Sequence, residues 1–271
     1  MPVSCYPDWE SFNIAPAVAD GPVDDGPVDD GPVAFGGDLS PASVLSAYRC
    51  GIIPLPAADE YIRNINEFRY EDQVADGVIG LVGSTAADPY WVAWWSPDPR
   101  PVIRVSDVHL GRNVRKQLRR DGALWTTANE AFQRVAQECR AGREPRWLTD
   151  TLLETMIELH DQGWAHSIEV WQDDDLIGGA FGVGVGDVLS GDSMFSRQPD
   201  AARIAVADMA ARFAAAGGTL IDAQWDSPFL RSLGAVLVPR DQYLPLLAGS
   251  AGRRALPRPP LPARRLLPPD R

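Results

Sequence analysis

The segment Leu220-Ile221-Asp222-Ala223-Gln224-Trp225 carries the most chemistry per residue in this chain. Read as a strand over Thr219 to Trp225, it alternates. Asp222 and Gln224 fall on one face, and Ile221, Ala223 and Trp225 on the other. A carboxylate and a carboxamide side by side in an apolar strand must find hydrogen-bonding partners or a ligand. Either a wet strand edge or a binding cleft satisfies that demand. A second acid, Asp192 in Gly191-Asp192-Ser193-Met194-Phe195-Ser196-Arg197, sits between apolar strand residues, where an unpaired charge is costly. It reads as facing a cationic or amine substrate, or as an ion pair with an arginine such as Arg197.

Other groups are more ambiguous. Phe181-Gly182-Val183-Gly184-Val185-Gly186 leaves a bare glycine face that a ligand, another backbone or a helix could approach. Val206, Met209 and Phe213 form a helical apolar stripe, ordinarily core. Arg112, Arg115, Lys116 and Arg119 fall at i, i+3, i+4 and i+7, with Arg120 beside them. That cluster suits a phosphate backbone or a solvated face.

The elements that must position these residues follow from periodicity and punctuation. Ser40 caps a helix with Pro41 at its first position and Gly51 after its end. Helices are expected at Leu110 to Arg120, Asn129 to Arg140, Thr149 to Gln162 and about Ala201 to Ala216. Strands are expected at Val102 to Val105, His166 to Gln172, Leu176 to Val185 and Val188 to Phe195, joined by Asp-rich and Gly186-Asp187 turns. A short helix near Phe229 to Leu233 and a strand at Ala235 to Val238 close the domain. Three antiparallel strands, a helix, then a strand is the core order of the GCN5-related N-acyltransferase fold. The fold class is therefore α+β: a small N-terminal domain and an acyltransferase-like domain whose mixed, largely antiparallel sheet is flanked by helices.

The expected divisions are 1–33, a disordered lead-in built on Gly-Pro-Val-Asp-Asp repeats; 34–100, an N-terminal domain with an insertion at about 56–93; 101–248, the acyltransferase-like domain; and 249–271, a disordered tail with six Arg and six Pro. Within the insertion only Val78 to Val82 looks strand-like.

Composition narrows the function. The chain has 271 residues, 45% hydrophobic, with 25 basic against 37 acidic side chains, a net charge of −12. That excludes nonspecific coating of nucleic acid but not a local basic patch. No run approaches the roughly 18 apolar residues of a membrane span, and the N-terminus lacks a secretory pattern, so a cytoplasmic location is expected. Cys5, Cys50 and Cys139 are too scattered for a disulfide framework or zinc site, and His160 and His166 lack ligand spacing; no metal is expected. There is no Walker-type phosphate loop. The junction Arg197-Gln198-Pro199-Asp200-Ala201 lacks the glycines with which acetyl-CoA enzymes of this fold hold pyrophosphate. No cofactor is expected, and the acyl donor must be something else.

Five segments, in order, resemble the leucyl/phenylalanyl-tRNA–protein transferase family: Gly36-Gly37-Asp38-Leu39-Ser40-Pro41, Trp94-Trp95-Ser96-Pro97-Asp98-Pro99-Arg100, His166-Ser167-Ile168-Glu169-Val170-Trp171, Ser193-Met194-Phe195-Ser196-Arg197 and Leu220-Ile221-Asp222-Ala223-Gln224. The resemblance spans about 34–55 and 94–240. It implies a bacterial enzyme that moves Leu, less often Phe or Met, from aminoacyl-tRNA to proteins beginning with Arg or Lys, marking them for degradation by the N-degron pathway. It also implies site roles. Asp222 and Gln224 orient the attacking amine, and Asp192 stands where the family has Glu at the reaction centre. Ala180, Leu189, Val206, Met209, Phe213 and Ile221 line an apolar aminoacyl pocket, with Ser227 at a position where Asn is common. Trp147 packs the terminal adenosine of tRNA, and the helix bearing Arg112, Arg115, Lys116, Arg119 and Arg120 receives the acceptor stem.

The chain departs from the family at Leu55, where Trp is usual, and at Ala180 and Leu189, smaller than the family's Met and Phe. Two other classes fit the fold: an acyl-CoA N-acyltransferase acting on small amines, which acetyl-CoA binding would reveal, and a non-catalytic relative that binds tRNA or N-termini.

Overall fold

A computed structural model of the protein describes residues 9, 31–83, 87–120, 122–142, 146–248 and 252–267. Most of the repeat lead-in, 1–33, lies outside the described residues. The chain forms two compact units: residues 1–98 with 142–155, and 99–141 with 156–271.

The first unit is a four-stranded sheet with two helices. Its strands are β1 (Ala34–Gly36), β2 (Ile53–Pro56), β3 (Gly80–Val82) and β4 (Val92–Trp95), in the order β2-β4-β1-β3. α1 (Pro41–Arg49) begins as its sequence demands: Ser40 Oγ accepts the Ser43 N–H. α2 (Glu60–Ala75) lies in the segment expected to be an insertion whose only regular piece is a strand at Val78 to Val82. Its apolar signal is weak because only Tyr70 is buried. The helix rests instead on an Asp59 cap, which accepts from the Ile62 N–H at 2.9 Å, and on Arg63 bridging Glu67 and Asp88.

The second unit holds β5 (Arg100–Arg104), α3 (Arg112–Arg120), β6 (Leu124–Ala128), α4 (Phe132–Arg140), β7 (Ala165–Gln172), β8 (Asp175–Val185), β9 (Val188–Ser196), α6 (Ala201–Ala215), β10 (Leu220–Asp222), α7 (Pro228–Ser232), β11 (Val236–Val238), α8 (Arg240–Ala248) and β12 (Leu261–Pro262). Between α4 and β7 runs α5 (Asp150–Asp161), within which the division of the units falls. The eight strands order as β11-β5-β10-β9-β8-β7-β6-β12. β7, β8 and β9 form the expected meander, and β10 pairs parallel to β9 after the α6 crossover. The class is α+β with a mixed sheet.

The sheet separates two apolar clusters. The larger contains Ile103, Ala180, Leu189, Ile221 and the inner face of α6; the smaller contains Val102, Val188, Leu220, Tyr243 and Leu247. The glycine stripe serves close packing. A Cβ on Gly178 would meet Ala201 of α6 at 2.5 Å, and one on Gly182 would meet the Ser190 carbonyl at 2.0 Å. Gly184 faces the His166 ring.

Two differences bear on the site. β10 stops at Asp222, short of the expected Trp225. The segment expected as a disordered tail packs on the second unit: β12 pairs with β6, and Leu256 and Ala263 are buried. Its arginines satisfy backbone oxygens. Arg254 donates to Gly186 O and Ala216 O, both at 2.8 Å, and pairs with Asp187. Arginine-rich composition there reflects anchoring rather than solvation.

Candidate functional site

Strand register brings the site together. Asp222 sits opposite Val102 of β5 on one side and Ser190 of β9 on the other. Arg100, two residues before Val102, therefore projects from the same face as Asp222. α8 lays Tyr243 over that face.

Asp222 is completely buried and fully engaged. Arg100 grips it in two parallel bonds, Nε to Oδ1 at 2.9 Å and Nη2 to Oδ2 at 2.8 Å. The Tyr243 hydroxyl donates to Oδ2 at 2.8 Å, and the Ser190 hydroxyl lies 3.4 Å from the same oxygen. Burial alone would discharge Arg100, but Asp222 and Tyr243 reverse that and hold the guanidinium firmly charged. Burial and the Asp222 charge push the Tyr243 phenol well above its ordinary range, so it remains a donor. Neither Arg100 nor Tyr243 stands out in the sequence as a site residue. Arg100 closes the Trp94-to-Arg100 motif, and a cation next to apolar strand residues is a signal that a buried partner exists. Tyr243 gave none, because Pro245 within α8 disguises the helix.

The strand's end changes how Gln224 is presented. Gln224 has φ of 59°, a left-handed conformation that Asn, Asp and Gly favour and Gln does not. The Trp225 N–H closes a three-residue turn onto Ala223 O at 2.6 Å, the rare and strained sense of the γ-turn. Three bonds hold it. Its backbone N–H donates to Asp222 Oδ1 at 2.8 Å, and its side-chain Nε2 donates to Ser190 Oγ at 2.9 Å and Asp192 Oδ1 at 2.6 Å. Both amide hydrogens are thus committed, so the group Gln224 can offer a substrate is its carbonyl oxygen. Gln224 is 6% exposed, while Trp225 and Asp226 beyond it reach solvent.

Asp192 owes its position to a β-bulge. Gly182 pairs with Gly191 and Phe181 with Ser193, leaving Asp192 as the extra residue. The bulge directs its carboxylate to Gln224. Arg197, the alternative partner considered from sequence, pairs with Glu138 instead. Asp226 is held below the usual carboxylate range by bidentate bonding from Arg231.

The apolar set Ala180, Leu189, Val206, Met209, Phe213 and Ile221 is brought together in one cluster, each member nearly or fully buried. Ile221 necessarily projects from the face of β10 opposite to Asp222, so this cluster lies on the α6 side of the sheet and the Asp222–Arg100–Tyr243 group on the α8 side. Ser227 caps α7, accepting the Leu230 N–H at 3.2 Å. Trp147 is half-buried in the first unit, as is Leu55 on β2.

On α3, Val114 and Leu118 face inward. Arg112, Lys116, Arg119 and Arg120 are exposed and Arg115 is half-buried. Arg112, Arg115, Lys116 and Arg119 keep the i, i+3, i+4, i+7 spacing of one face of α3. Lys116 and Arg120 line one shallow cleft, and Arg115 lines a cavity on another flank. No ion pair among the described residues involves any of the five.

Among the described residues no helix is long and apolar enough to cross a membrane, and no group of three or more His, Cys, Asp or Glu is arranged to hold a metal. Residues 102–248 match the family model described as leucyl/phenylalanyl-tRNA protein transferase. The chain is 38% identical over 217 residues to the leucyl/phenylalanyl-tRNA–protein transferase of Chromohalobacter salexigens, covering 79% of this chain and 73% of that one. It is 38% identical over 225 residues to the protein of that name from Citrobacter koseri, covering 83% and 82%. Among solved structures, a GCN5-related N-acetyltransferase from Kribbella flavida overlaps 52% of this chain and 55% of its own, at 12% identity and a TM-score of 0.33.

Proposed function

Because the chain belongs to the leucyl/phenylalanyl-tRNA–protein transferase family, we propose that it transfers Leu, and less readily Phe or Met, from aminoacyl-tRNA to the α-amino group of proteins beginning with Arg or Lys. In a bacterial cytoplasm this marks them for degradation through the N-degron pathway. The observation that carries the reading is Gln224, held in a strained turn with both amide hydrogens bonded and its carbonyl to spare.

The reaction asks little of a base. The donor is an ester, and an α-amine with a pKa of about 7.7–8.0 is already roughly a tenth to a fifth neutral at pH 7. What remains is alignment of two bound substrates, which can supply several kcal/mol. The Gln224 carbonyl accepts a hydrogen bond from the incoming amine and aims its lone pair at the ester carbon. The amine's nitrogen forms the new amide bond, the ribose oxygen leaves, and a proton passes from nitrogen to solvent or the departing oxygen. Asp222, gripped by Arg100 and Tyr243, works by fixing Gln224. Asp192, beside Gln224, meets the positive side chain of the acceptor's first residue.

In this reading Ala180, Leu189, Val206, Met209, Phe213 and Ile221 set the apolar aminoacyl preference from the α6 side, and Ser227 borders it. Trp147 packs the terminal adenosine. The free cations of α3 take acceptor-stem phosphates. The test is transfer of labelled amino acid from Leu-, Phe- and Met-tRNA to an Arg-starting peptide. Absence of transfer with all three overturns the proposal.

A further inference from the structure

The second unit contains a cavity of about 490 Å³ beside α3. Val108, Leu110 and Leu266 give it an aliphatic lining, and His109, Arg115 and Arg265 give it three nitrogen-bearing groups; among the described residues no carboxylate lines it. Arg265 and Leu266 belong to the C-terminal segment, beyond the 102–248 region that matches the family.

Charge around it does not balance. Asp208 is fully buried and pairs with two guanidiniums, Arg212 and Arg265. Arg212 spends its remaining donors on the Pro257, Pro259 and Thr126 carbonyl oxygens, the last two at 3.0 Å. Arg265 has no such outlet: its Nη1 is buried with no hydrogen-bond partner among the described residues. Among the described residues one carboxylate, Asp208, stands against these two arginines, and a buried donor left unsatisfied is costly. Arg115, without an acidic partner among the described residues, adds a second positive charge. An anion completes this arrangement. Phosphate suits it better than carboxylate, because it offers several acceptor oxygens and up to two charges to guanidinium donors. The volume far exceeds a bare phosphate and the lining is aliphatic, so the anion comes attached to a larger, less polar body.

We propose that this cavity binds a nucleotide, its phosphate on Arg265 and Arg115 and its base and sugar over Val108, Leu110 and Leu266. The nucleotide is either an unstacked unit of an RNA lying along α3, a source that rests on the transferase reading, or a free mononucleotide, a source that does not.

AMP titrated calorimetrically into the full-length protein at low salt tests the proposal. Binding is expected, about tenfold weaker in Arg265→Gln and abolished in Ala211→Trp. Ala211 lines the cavity from the solvent side of α6, so the tryptophan occupies its volume without removing any of its charged groups. Should Arg265→Gln fail to fold, Ala211→Trp decides alone. No AMP binding to the wild-type protein, or wild-type binding in Ala211→Trp, overturns the proposal. If the natural occupant is an RNA nucleotide, AMP competes with tRNA and Ala211→Trp weakens tRNA binding. If it is a free nucleotide, tRNA binding is unchanged while AMP binding is lost. AMP binding in a protein that transfers no amino acid would leave this site standing and remove the transferase reading alone.

Discussion

Asp222 grips Gln224 by its backbone, not by its side chain. The Gln224 N–H donates to Asp222 Oδ1 at 2.8 Å, while the Gln224 amide turns away to Ser190 and Asp192. Placement and chemistry are thereby divided between the two residues. The buried ion pair with Arg100 makes Asp222 a fixed post, and the strained turn pivots on it.

Gln224→Gly should separate stability from activity. Glycine relieves a left-handed strain of about 1–3 kcal/mol, which offsets two lost side-chain hydrogen bonds of about 1 kcal/mol each. The melting temperature should move by no more than a few degrees, while kcat/KM for Leu transfer should fall about 100-fold or more. Wild-type transfer by this variant would remove Gln224 from the mechanism.

Asp222→Ala should be far more disruptive, because it strands Arg100 in the interior. Breaking a buried pair on one side costs about 3–5 kcal/mol, readable as a large drop in the urea midpoint. The double variant Arg100→Met with Asp222→Leu should recover most of that stability without recovering transfer. A stable, active Asp222→Ala would show that the pair positions nothing.

His166 makes stability depend on acid. Burial, with the nearby charges of His160 and Arg258, lowers its pKa from 6.5 to about 4. The unfolded chain therefore binds the proton more readily, and the stabilising preference for neutral imidazole is present above about pH 6.5 and lost as pH falls towards 4. The difference corresponds to about 3 kcal/mol. Unfolding free energy measured from pH 7 to 4 should decline in the wild type and decline less in His166→Gln.

The α3 cations should act additively on RNA. Each of Arg112→Gln and Arg119→Gln should weaken tRNA binding and reduce the slope of log K against log salt by about 1. Transfer at saturating tRNA should be nearly unchanged. A slope equal to that of the wild type would place the RNA on another surface.

Periodicity in this sequence was enough to locate the meander, α6 and the basic helix, because apolar spacing and caps are local properties. Asp222, Gln224 and Asp192 were legible as polar groups that a buried strand cannot leave unpartnered. What the sequence did not contain was their partners. Arg100 lies 122 positions from Asp222 and meets it only through antiparallel pairing of β5 with β10. Tyr243 reaches it from α8, a helix whose pattern Pro245 interrupts, and α2 carries little apolar signal because so little of it is buried. The left-handed turn at Gln224 likewise has no local signal; it is imposed by bonds to three residues on two strands. Nor does composition distinguish a solvated arginine-rich tail from one whose guanidiniums find carbonyls and a buried carboxylate on another element. Local spacing fixes which side chains can do chemistry. Only the sheet register decides which of them share a face, because that depends on contacts far apart along the chain.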